Sequence, residues 1–66
     1  MNVVLHTTHC PACRVLEQKL QAKNIPFEVD EDPDHIIELG FMAAPVLVVD
    51  GKAMAVGEAN KWISTQ

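Results

Sequence analysis

The chain has 66 residues, 48% of them hydrophobic and 21% charged, with two cysteines and a formal net charge of −4. That length makes residues 1–66 a single domain near the lower limit for folding without a staple, and the composition excludes a disordered chain. The basic residues Arg14, Lys19, Lys23, Lys52 and Lys61 are scattered, so no cationic patch speaks for nucleic acid, and the apolar runs are too short for a membrane span.

In chain order, Asn2-Val3-Val4-Leu5-His6 is β-branched and apolar, the pattern of a short buried strand. Thr7-Thr8-His9 is the loop into a helix predicted over Pro11 to Lys23, with Ala12, Leu16 and Leu20 on its apolar side beside Cys13 and Val15. Asn24 suits a left-handed helix end, and Pro26 bars continuation. Ile25 to Asp30 alternates apolar and polar residues, as a second strand does. Glu28, Asp30, Glu31, Asp32 and Asp34 form an acidic run that reads as a solvated loop and helix start; the alternating oxygen ligands of a calcium loop are missing. Asp32 caps, Pro33 opens and Gly40 closes a short helix around His35 to Leu39. Pro45-Val46-Leu47-Val48-Val49 is a continuous apolar run fit for a central strand, and Asp50-Gly51 turns it back into an antiparallel strand, Lys52 to Ala55. Gly57 then opens a last helix, Glu58 to about Thr65, with Trp62 and Ile63 facing inward. The predicted order β-α-β-α-β-β-α is an α/β fold with a small four-stranded mixed sheet flanked by helices. Its first two strands are parallel and its last two antiparallel.

The chemistry concentrates at His9-Cys10-Pro11-Ala12-Cys13. Unpartnered N–H groups of the first helical turn point at the first sulfur, and the positive helix end favours thiolate over thiol. A cysteine so placed has its pKa drawn from ~8.5 toward ~3.5–7.5 and is a nucleophile at neutral pH. Pro11 suits the first helical position, where its missing N–H is no loss. Nothing at the start of the chain reads as a signal peptide, so a cytoplasmic protein is expected. A structural disulfide does not persist there, and two cysteines are catalytic or metal-binding.

With Cys10-Pro11-Ala12-Cys13 after the first strand and Ala44-Pro45-Val46 at the third, the chain resembles the glutaredoxin branch of the thioredoxin-like fold over nearly its whole length. The resemblance implies a monomeric thiol–disulfide oxidoreductase with Cys10 as nucleophile, Cys13 as resolving thiol and no bound cofactor. Pro45 would be a cis-proline against the sulfurs. Protein disulfides, or glutathione mixed disulfides, are the implied substrates. The substrate groove would run past Ala44 and Pro45, with His9, Pro11 and Ala12 as one wall and Val56, Gly57 and Glu58 as the other. Several positions depart from the glutaredoxin pattern: Thr7 replaces a basic residue, Ala12 an aromatic one, and Gly57 stands without a second glycine. Glu58 falls where a glutathione carboxylate would sit and would repel it. The related NrdH-type redoxins, which serve ribonucleotide reductase, draw electrons from thioredoxin reductase instead, so either glutathione or that reductase is the implied electron source.

His9 adjoins the nucleophile and reads either as a modulator of Cys10 or as a solvated loop residue; His6 reads as structural and His35 as surface. The rival reading is a metal module. His6, His9, Cys10 and Cys13 form a donor set that zinc accepts, and two chains sharing an iron–sulfur cluster through Cys10 is a variant of it. Because side chains alternate along an extended segment, the zinc set is not expected to converge, and no metal ligand is assigned.

Overall fold

Two of the turns that shape the fold are made by residues that tolerate a left-handed backbone. Asn24 ends the first helix at φ 57°, and Asp50 (φ 49°) and Gly51 (φ 87°) close the hairpin. The computed structural model describes residues 2–66. In order, the elements are β1 (Val3–His6), α1 (Pro11–Ala22), β2 (Glu28–Asp30), α2 (Pro33–Glu38), β3 (Val46–Val49), β4 (Lys52–Met54) and α3 (Val56–Ser64). The sheet order is β2-β1-β3-β4. β1 runs parallel to β2, with His6 opposite Asp30, and antiparallel to β3, with His6 opposite Val46. β3 and β4 are antiparallel, with Val49 opposite Lys52. The expected α/β architecture is therefore the observed one, and β1 is an inner strand of the sheet.

One hydrophobic core supports it. Leu5, Leu47 and Met54 of the sheet pack with Leu16 and Leu20 of α1 and Ala59 and Ile63 of α3, with Phe27 and Trp62 against its margin. The buried stripe of α1 is Cys13, Leu16 and Leu20. Ala12 and Val15, expected on or beside that stripe, are exposed, because the buried positions Cys13, Leu16 and Leu20 form a single narrow line along α1 and each of the two sits one residue to its side. β2 is shorter than its alternation predicts and leaves Val29 46% exposed, since an outer strand has a neighbour on one side only. Asp32 caps α2 as expected, its carboxylate accepting the Asp34 N–H at 3.0 Å. α3 begins two residues before the predicted Glu58, with extended Ala55 as a cap that offers no side-chain hydrogen bond. The Ala59 N–H to Ala55 carbonyl bond (2.8 Å) closes its first turn, so Val56, Gly57 and Glu58 are helical. Among the described residues no helix is long and apolar enough to cross a membrane.

Candidate active site

Cys10 caps α1 in extended conformation, and its sulfur accepts the Cys13 N–H at 3.2 Å. Pro11 occupies the first helical position, as its fixed φ allows. Both cysteines are free; Cys10 is half-buried and Cys13 is 0% exposed. The two therefore divide in access: one sulfur can meet a partner, while the other faces only the protein interior and its neighbour. The Ala44–Pro45 peptide bond is cis, and the Ala44 carbonyl lies 4.0 Å from the Cys10 sulfur. Pro45 itself is buried and Ala44 half-buried. Cys10 thus stands beside both Cys13 and the Ala44–Pro45 segment.

Burial pushes the Cys13 thiol up, but hydrogen bonds outweigh it. Contacts from the Cys10 side chain, the Thr7 hydroxyl and the Thr8 and Cys10 backbones lower it from 9.0 to about 7. The lowered Cys13 thiol lies directly behind the half-exposed Cys10 sulfur, which accepts the Cys13 N–H at 3.2 Å.

Thr7 is the functional residue that sequence reasoning missed. It reads as a polar loop residue, yet it is 1% exposed. Its hydroxyl lowers the Cys13 thiol and accepts the His9 N–H at 2.9 Å, while its own N–H donates to the Asp30 carbonyl at 2.9 Å. No local pattern reveals this. The signal lies in the position, one residue beyond an inner strand.

His9 adopts φ 62°, which turns its ring away along the surface to pair with the Glu31 carboxylate. That hydrogen bond and charge raise the His9 pKa above 6.5. The zinc set weighed from the sequence does not form: among the described residues, His6 groups with Asp30 and His35, not with the sulfurs. Of the other expected groove residues, Pro11 and Ala12 are exposed in the first turn of α1. Glu58 sits in the first turn of α3 and pairs with Lys52 at 3.2 Å, so its charge is partly met within the chain. A further element was not foreseen. A shallow apolar recess lined by Thr8, Pro33, Ile36, Ile37, Met42, Ala43 and Ala44 adjoins the cis-proline segment, with Met42 fully exposed and Ile37 68% exposed.

Comparison with family profiles matches residues 1–63 to the thioredoxin domain family. The chain belongs to that family: it is a thioredoxin-like redoxin. Comparison with curated proteins returns no match. For this redoxin the family and the two neighbouring cysteines at a helix start fit a redox role.

Proposed function

We propose that this redoxin reduces disulfides of other proteins, with Cys10 as nucleophile and Cys13 as resolving thiol. The observation that carries the reading is the asymmetry of the pair: a half-exposed Cys10 sulfur held by the Cys13 N–H at 3.2 Å, over a fully buried Cys13. Cys10 thiolate attacks one sulfur of the substrate disulfide; the S–S bond breaks, and the displaced sulfur leaves as a thiolate that takes up a proton. Cys13, deprotonated, then attacks the Cys10 sulfur and expels the second substrate sulfur, which is protonated in turn. The substrate has gained two electrons and two protons, and the redoxin holds a Cys10–Cys13 disulfide.

An extended substrate segment can pair with the Ala44 backbone beside Cys10, which selects for chain conformation more than for sequence. Its side chains would meet His9, Pro11 and Ala12, the Val56–Gly57–Glu58 turn, and the apolar recess at Ile37 and Met42. The recess suits a protein partner better than a small anionic thiol. Thr7, where a glutaredoxin would present a basic side chain, is buried and offers no cation to a carboxylate. A flavoprotein dithiol source of the thioredoxin reductase kind therefore fits the site better than glutathione.

The test is coupled turnover with a protein disulfide as substrate and NADPH consumption as readout. One reaction is driven by thioredoxin reductase and another by glutathione with its reductase. Turnover in the first and little in the second is expected. Turnover with glutathione alone would reverse the assignment of electron source, and no turnover in either would overturn disulfide reduction as the function.

A further inference from the structure

A second cluster of chemistry-bearing side chains lies where β1 and β2 end. His6 is the last residue of β1, Asp30 is its register partner at the end of β2, and His35 stands in the first turn of α2. Each offers a ligand atom, and these atoms all lie within 4.8 Å of one another. Asp30 Oδ2 is 3.6 Å from His6 Nδ1 and 2.6 Å from His35 Nδ1. The His6 side chain is only 9% exposed, and its Nδ1 is buried without a hydrogen-bond partner. A buried nitrogen with no donor or acceptor is rare in folded chains and calls for an occupant. Here it faces a carboxylate oxygen across a gap too long for a hydrogen bond.

We propose that His6, Asp30 and His35 bind one divalent transition-metal ion of the zinc class. His6 Nδ1, His35 Nδ1 and Asp30 Oδ2 would be the ligands and water would complete the shell. Two imidazoles and a carboxylate select this class; calcium and magnesium require oxygen donors throughout. In a tetrahedral zinc site with bonds of about 2.0–2.1 Å, neighbouring ligand atoms stand about 3.3 Å apart. The His6–Asp30 separation is already close to that. The His35–Asp30 contact must open by about 0.7 Å from its 2.6 Å, and the 47% exposed His35 ring has room to move. The surroundings are those of a held site. Asp30 Oδ1 accepts the Asp32 N–H at 3.0 Å, which fixes the carboxylate, and Asp32 Oδ2 lies 3.6 Å behind His35 Nε2. A carboxylate behind a ligating histidine orients the ring and raises its basicity. The net charge of −4 favours a cation further. The site contains neither cysteine and does not depend on the proposed reductase chemistry.

The experiment is calorimetric titration of zinc into the full chain with Cys10 and Cys13 oxidised to their disulfide, so that the thiols cannot compete. One ion per chain is expected. His35→Ala, at an exposed position, should weaken binding by at least about tenfold, the loss seen even for residues that only support a ligand. His9→Ala should leave the affinity unchanged. Because His6 is buried, its part is read by nitrogen chemical shifts in the wild type: the His6 and His35 rings should move on adding zinc while the His9 ring does not. Absence of binding at large zinc excess, an affinity indifferent to His35→Ala, or a shift of His9 in place of His6 would each overturn the proposal.

Discussion

Thr7→Val replaces a hydroxyl by a methyl group at a position that is 1% exposed, and so tests the thiolate network with little change of shape. The hydroxyl is one of the donors that bring the Cys13 thiol to about 7. A hydrogen bond to a charged group is worth about 1.5–3 kcal/mol, and the lower end applies to a large, diffuse sulfur. At about 1.4 kcal/mol per pKa unit, losing it moves the thiol midpoint up by about one unit, to roughly 8. The consequences at pH 7 differ by assay. The Cys13 thiolate fraction falls from about one half to about one tenth, yet nucleophilicity rises with pKa at a Brønsted slope of about 0.4–0.5, so the attack of Cys13 on the Cys10 mixed disulfide slows only about twofold. The reduced form loses about 0.35 kcal/mol of thiolate stabilisation, which lowers the two-electron potential by only about 8 mV. Neither change is decisive, so the measurement is thiolate absorbance against pH. A midpoint that moves by less than about 0.3 unit would refute the assignment of Thr7 as a donor to this sulfur.

Trapping separates the roles of the two thiols: Cys13→Ser should accumulate a mixed disulfide on Cys10, whereas Cys10→Ser should form none, as read by intact mass. Recovery of the adduct on Cys13 would exchange nucleophile and resolver. The His9–Glu31 pair sets a pH dependence. Because folding raises the His9 pKa above 6.5, the stability from this pair is fully present below pH 6.5 and is lost as pH rises through the raised value. Glu31→Gln should return the ring's titration, followed by NMR, toward 6.5 and flatten that limb of the stability profile; an unmoved titration would rule out Glu31 as the cause.

Local chemistry in the sequence was enough wherever a residue acts on its own neighbours. Asp32 with Pro33 at a helix start, Asn24 at a helix end and Asp50-Gly51 in a hairpin each have one conformation in which they serve well, and each adopts it. The cysteine pair belongs to the same class, because its spacing and the helix end are both local. Legibility stops where a role depends on segments far apart in the chain. Thr7 acquires its function from the β1–β2 register and the packing of α1, neither of which is written near it. The His6–Asp30–His35 cluster draws on three elements, and the acidic run around Asp30 gives no hint that one of its members turns inward to two histidines. The start of α3 was misplaced because Ala55 caps it with backbone alone, leaving no side-chain signature to read.

The position of β1 between a parallel and an antiparallel neighbour has a further bearing on this redoxin. A strand that slips by one residue turns every side chain to the opposite face of the sheet. In β1 such a slip would break the His6–Asp30 pairing and carry Thr7 away from the sulfur it supports, while also exposing Leu5. Correct alignment of the sheet and competence of the thiol pair are thus one event, so a chain that has collapsed in the wrong register stays chemically silent. Appearance of the lowered thiol during refolding would accordingly time-stamp the moment when β1 locks between its two neighbours.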